Sequence, residues 1–273
     1  MKVLKSILDF YLNSSIHVAL AVYAFVRITK IYFKLPDNEY LEYFIFFGTI
    51  TGYNFVKYAG VAKLHHRSLT KDLKIIQVFS LCCFLAMCFY GYLLDFKTVL
   101  FSVPFTLLTV LYAVPFLSGF AKNLREISYL KIIVVAFVWM GFTVIIPFFD
   151  AGTEVSSSAI FYAIQRFLLV IVLVFPFDIR DMRFDAISLQ TIPQKIGVEK
   201  TKKLGVALLV FSLVLEFMSS TEITAKSPFM LFFFLMIILL MRAKINQSKY
   251  YSSFLVESLP IIWWLFLLGF HNF

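Results

Sequence analysis

Charge is scarce in this chain. Only 15% of its 273 residues are Asp, Glu, Lys or Arg, while 61% are hydrophobic and the mean hydropathy is +0.87. A soluble domain of this length could not hide that much apolar surface in one core, so a soluble globular protein is excluded and lipid is the expected solvent. Cysteine is nearly absent too. Cys82, Cys83 and Cys88 share one apolar run without paired CxxC spacing, which argues against a disulfide framework or a cysteine metal site; they are expected to be small apolar residues of a membrane helix. No soluble segment, low-complexity linker or strong internal repeat interrupts the chain. The start, MKVLKSILDFYLNSS, is polar-interrupted and has no small-residue cleavage site, so the first spanning helix is expected to act as the insertion signal.

What is abundant is apolar sequence in lengths that suit a bilayer. About 20 such residues cross it as a helix, and candidate spans lie near 15–33, 40–60, 75–94, 98–117, 129–149, 157–177, 203–219, 228–241 and 254–272. The expected fold is therefore all-α, a polytopic bundle of about nine transmembrane helices forming a single domain over 1–273. The net charge of +9 fits this topology without any nucleic-acid partner. Of 25 Lys and Arg residues, only Lys30, Lys34, Lys97 and Lys226 fall in the connections of one side. Arg27, Lys57 and Arg166 fall inside helices, and all the others lie on the opposite side. The positive-inside rule puts that side, with the N-terminus, in the cytoplasm.

The most charged short stretch follows the sixth span. In FPFDIRDMRFD, Asp178, Asp181 and Asp185 are spaced i, i+3, i+7, one face of a helix, with Arg180 and Arg183 expected to project elsewhere. Three carboxylates on one face repel each other unless a cation joins them. A hard cation such as Mg²⁺ takes carboxylate oxygens and completes its shell with water and substrate phosphates. The set thus suits a metal-bridged diphosphate whose lipid tail lies among the helices. The bland alternative is a solvated loop whose aspartates pair locally with Arg180 and Arg183.

FDIRDMRFDAISLQTIPQKIG resembles the second aspartate-rich motif of the UbiA superfamily of intramembrane prenyltransferases, including the Thr-(Ile/Leu)-Pro-x-x-x-Gly stretch, here Thr191, Ile192, Pro193 and Gly197. TGYNFVKYAG stands where the family's first motif belongs, and LYAVPF with LREISYLKI resembles its fourth-helix exit. The resemblance implies a UbiA-like bundle with cytoplasmic active-site loops in the cell (inner) membrane. It implies Mg²⁺ held by Asp178, Asp181 and Asp185, and a prenyl diphosphate whose prenyl group passes to an unidentified acceptor.

The first motif is degenerate. Asn54 fits, as an expected part of the metal–diphosphate shell, but the three family aspartates are replaced by Phe55, Tyr58 and Ala62. Lys57 stands among them and is a candidate direct diphosphate contact, since lysine meets phosphate as a point charge; the bland alternative is a lysine reaching the headgroups. Tyr112 is followed four residues later by Phe116, where the family pattern carries lysine, so Lys122 and Arg125 are candidates for the missing charge. His65 and His66 are expected in a solvated loop. His17 is expected to be a hydrogen-bonded core histidine, and Glu216 and Glu257 are potential partners for Arg27 and Arg166. Terpene cyclisation on the same scaffold and a noncatalytic lipid-binding descendant are the competing functions.

Overall fold

The computed structural model describes residues 2–58, 71–114, 130–183, 190–219 and 223–271, and all regular structure among these residues is helical. The helices are α1 (Lys2–Asn13), α2 (Ile16–Phe33), α3 (Glu39–Tyr58), α4 (Lys71–Leu93), α5 (Phe96–Ala113), α6 (Leu130–Met140), α7 (Ile146–Asp150), α8 (Ser157–Asp181), α9 (Ile192–Ile196), α10 (Val198–Met218), α11 (Ile223–Arg242) and α12 (Leu259–His271). A π-helical segment, Gly141–Ile145, joins α6 to α7, and another, Tyr251–Val256, precedes α12. Among the described residues, six helical rods are long and apolar enough to cross a membrane: Ile16–Phe33, Leu73–Leu93, Phe96–Ala113, Leu130–Asp150, Ser157–Asp181 and Tyr251–Gly269. The remaining expected segments, covered by α3, α10 and α11, are helical as well.

Local chemistry sets the boundaries. Asp95 caps α5 by accepting from the Lys97 N–H, and Ser156 caps α8 by accepting from Ala159, which satisfies donors a helix start leaves open. α2 stops at Lys34, which adopts φ 50°, with Pro36 two residues on. Pro176 inside α8 donates no N–H, yet its carbonyl accepts from Gln247 Nε2 at 2.7 Å and Ser252 Oγ at 3.2 Å. That fastens the end of α8 to the π-segment before α12.

The largest apolar core joins α2, α6, α8, α10, α11 and α12 around Phe25, Leu169, Phe175, Phe232, Met236 and Trp263. α3 packs on α4, and α8 on α10. Gly141 makes one close approach possible: a Cβ there would fall 2.2 Å from the Phe105 ring on α5. Most of α4 faces outward, with Ile75, Val78, Leu81, Leu85, Phe89 and Tyr92 exposed, as befits a lipid-facing helix. Its cysteines are unbridged, Cys83 buried and Cys82 and Cys88 exposed.

Buried charges find neighbours the linear sequence does not show. Lys30 lies in the last turn of α2, not in a connection, 2.8 Å from Glu42. Arg27 pairs with Asp37 at 2.7 Å and Glu42 at 2.8 Å, so its partners are neither Glu216 nor Glu257. Arg166, fully buried, stacks 3.8 Å over the Phe25 ring and donates to the Tyr162 hydroxyl. Glu216 accepts from Gln165 at 2.7 Å and from Tyr32 at 3.0 Å. His17 is a hydrogen-bonded core histidine: Nδ1 meets the Tyr11 hydroxyl at 2.8 Å and Nε2 the Phe254 carbonyl at 3.0 Å.

Candidate active site

Two elements meet the end of α8: the start of α6, through Lys131 on Asp178 at 2.8 Å, and the π-segment before α12, through Arg180 on Ser253 at 3.2 Å. α8 stops at Asp181. Asp178 and Asp181 are thus its last-turn carboxylates. Asp185, Lys122, Arg125, His65 and His66 lie outside the described residues.

Each of the two described carboxylates already has a protein cation. Asp178, 1% exposed, accepts from Lys131 Nζ at 2.8 Å. Asp181 accepts from Arg180 Nε at 2.8 Å, so Arg180 does not project elsewhere, as the helical spacing had implied. It also reaches Ser253 Oγ at 3.2 Å. Lys131 stands at the start of α6. Its sequence position carries no sign of this role beyond membership of a basic connection.

Asn54 is 2% exposed, and its amide is engaged inside the protein. It accepts from Ser15 Oγ at 2.8 Å and donates to the Ser14 carbonyl at 3.0 Å and Ser80 Oγ at 2.7 Å. This locks the α1–α2 turn to α3 and α4. Lys57 donates to Ser15 Oγ at 2.8 Å and the Leu12 carbonyl at 3.3 Å. It therefore serves the end of α1 with two of its three donors. Neither the headgroup placement nor a lysine lying open to the phosphates describes it fully.

Beside this polar end lies a cavity of about 450 Å³ between α3, α4, α5 and α6. Its walls are mostly apolar, with Phe44, Met87, Val134 and Val138 among them, and Tyr53, Tyr112 and Trp139 supply aromatic faces. Trp139 Nε1 donates to the Tyr53 hydroxyl at 2.9 Å, fixing both rings. Tyr112 is 7% exposed and sits in the last turn of α5. Lys131 is one turn from Val134 and Val135 along α6, and Lys57 one turn from Tyr53 along α3. Lys131 and Lys57 thus stand one turn beyond residues that line the chamber.

Among the described residues the donor set fits at most one divalent cation. Asp178 and Asp181 can offer carboxylate oxygens to a hard ion whose shell water and phosphate complete. Among the described residues no group of three His, Cys, Asp or Glu stands close enough to hold a metal unaided. Phe55 and Tyr58 bring no carboxylate from α3.

The described residues define a helical integral membrane protein with an apolar chamber among its helices and two ion pairs at the end of α8. Its fold is the UbiA fold. The structure superimposes on the apo form of a UbiA homologue from Aeropyrum pernix K1 with a TM-score of 0.69 at 14% identity, covering 93% of this chain and 98% of that one. A UbiA homologue from Archaeoglobus fulgidus bound to GPP and Mg²⁺ gives 0.60 at 14%, covering 97% and 100%. A digeranylgeranylglyceryl phosphate synthase gives 0.56 at 16%, covering 99% and 98%. No protein-family model and no curated protein sequence matches the chain.

Proposed function

We propose that the protein is an intramembrane prenyltransferase. It binds a prenyl diphosphate with its tail in the cavity and its phosphates at the end of α8, and passes the prenyl group to an acceptor yet to be identified. The observation that carries this reading is the Lys131–Asp178 pair, whose lysine stands one helical turn from the chamber residues Val134 and Val135, with Lys57 one turn from the chamber residue Tyr53. The A. fulgidus homologue of the same fold, solved with GPP and Mg²⁺, supports it.

Asp178 and Asp181, with Asp185, would hold Mg²⁺, which when bound supplies positive charge against the leaving diphosphate. The chain's own cations act alongside. Lys57 and Lys131 stabilise charge on the phosphate oxygens as the C1–O bond breaks and its electron pair stays with the diphosphate. Lys122 and Arg125 are further candidates for that role. The aromatic faces of Tyr53, Tyr112 and Trp139 favour the allyl cation left behind, and the apolar walls keep water from capturing it. The acceptor's nucleophilic atom then bonds to C1 and releases its proton.

The resident ion pairs on Asp178 and Asp181 favour one second reading, a noncatalytic isoprenoid-binding protein. Purified protein incubated with geranylgeranyl diphosphate, Mg²⁺ and a panel of quinone precursors and lipid headgroup acceptors separates the two. Prenylated product establishes transfer, cyclic product from the diphosphate alone establishes a cyclase, and binding without turnover leaves the noncatalytic reading.

A further inference from the structure

The chamber between α3, α4, α5 and α6 has one end beside a lysine and one end stopped by packed rings. Val56, Gly52, Gly48 and Phe44 all line it. They follow one another at four-residue intervals, so they share one face of α3. At the rise of an α-helix that face is about 18 Å long, in steps of about 6 Å. Lys57 follows Val56 at one end. At the other, the Phe44 ring reaches across to α4, where a Cβ built at Gly91 would lie 3.2 Å from it. Phe44, Ile45, Val22 and Phe142 line the chamber and also pack into a buried apolar cluster with Leu41 and Leu94. Packed side chains rather than open space therefore lie beyond Phe44. Between the two ends the glycines give the chamber its width. A Cβ at Gly48 would lie 3.4 Å from Met87 Sδ on α4, and one at Gly52 3.4 Å from Thr109 Cγ2 on α5. A methyl makes an ordinary contact at either place, and anything larger takes up chamber space.

Each isoprene unit adds four chain bonds to a prenyl tail, about 4.5 Å when extended, so a face about 18 Å long matches about four units. We propose that this face of α3 measures the prenyl tail: the chamber takes tails of up to four isoprene units, the geranylgeranyl length, and Phe44 stops a fifth. This rests on the prenyl-diphosphate reading of the site and gives it a substrate class. Gly48, about 12 Å from Val56 along the helix, is bare where the third unit passes. Lipid offers a tail the same apolar surroundings as the chamber, so added length gains little by entering. Selection therefore comes from exclusion, because a tail pressed against a packed floor strains it.

The test is equilibrium binding of three slowly ionising analogues, the thiodiphosphates of geraniol, geranylgeraniol and geranylfarnesol, with two, four and five isoprene units. Wild type, Gly48→Leu and Phe44→Ala are compared in nanodiscs with Mg²⁺, corrected for partition into protein-free discs. Wild type should bind the two- and four-unit analogues alike and the five-unit one about tenfold more weakly. Gly48→Leu should weaken the four-unit analogue about tenfold and spare the two-unit one. Phe44→Ala should bring five-unit binding up towards that of four units, a gain that misfolding cannot produce. Equal wild-type binding of all three analogues overturns the ruler alone. The tail would then leave sideways past Phe84 and Val110, which line the chamber and are also exposed. A five-unit analogue still excluded by Phe44→Ala also overturns it, because the floor would lie elsewhere. Absence of analogue binding in every protein overturns the ruler and the prenyl-diphosphate reading together.

Discussion

Lys131 Nζ lies 2.8 Å from Oδ1 of Asp178, joining the first turn of α6 to the last turn of α8 across 47 residues. The carboxylate is 1% exposed and the lysine 16%, so the pair is largely shut off from solvent. Breaking a buried pair from one side leaves the other charge uncompensated. Lys131→Ala should therefore destabilise the protein by about 3 kcal/mol, seen as a lower unfolding temperature in detergent. Adding Asp178→Asn should restore much of that loss. A double variant no more stable than the single would show that the pair is not what the lysine supplies.

Asp181 is the more accessible carboxylate, 28% exposed against 1% for Asp178, and its neutralisation should be felt by the metal before the fold. Asp181→Asn should fold normally and lose Mg²⁺-dependent binding of a prenyl diphosphate analogue by about tenfold or more. Titration with and without Mg²⁺ reads this directly. Equal Mg²⁺ enhancement in variant and wild type would remove Asp181 from the metal site.

At Gly141 the constraint is steric. The added Cβ of Gly141→Ala would lie 2.2 Å from a Phe105 ring that is packed against α6 and cannot simply swing aside. The variant should cost about 1–3 kcal/mol, while Gly269→Ala, where nothing stands within 4 Å of the new methyl, should be near neutral. Comparing the two unfolding temperatures checks the close packing of α5 on α6.

Outside the spans, Asp9 on α1 accepts from Lys249 at 2.6 Å and from the Tyr250 hydroxyl at 2.7 Å. These contacts hold the Asp9 carboxyl below its ordinary value of 3.8, and the same pairing raises the Lys249 ammonium. A depressed acid contributes stability that is fully present above its unfolded value and is lost as pH falls through the lower folded one. A raised amine contributes below its unfolded value of 10.5 and loses that contribution as pH climbs past the folded one. The latch should therefore hold between about pH 4 and 10. Being exposed it is worth less than about 1 kcal/mol, and its readout is local. Proteolysis within α1 should quicken below pH 4 in wild type, and Asp9→Asn should show the faster rate already at pH 7.

Some of the candidate site was legible from residue order. Asp178 and Asp181 stand out because carboxylates are rare in an apolar chain, and Thr191, Pro193 and Gly197 begin and end a short helix by local chemistry alone. The hydrogen bonds of Asn54 to Ser14, Ser15 and Ser80 were not legible, because they join residues 26 to 40 positions apart. Lys131 was missed as a site residue for a related reason: it is one charge near the start of an apolar run, with no local pattern to distinguish it.

The order of amino acids by itself determined that this is a helical membrane protein and roughly where its long apolar helices run. In hydrocarbon every backbone N–H and C=O must be satisfied within its own segment, so apolar length and local caps suffice. The tertiary structure alone decided that Lys131 meets Asp178, that Lys57 meets Ser15, and that the chamber is walled by α3, α4, α5 and α6. Those outcomes depend on side chains dozens to hundreds of residues apart meeting within about 3 Å, and only the packing of one helix on another sets such distances.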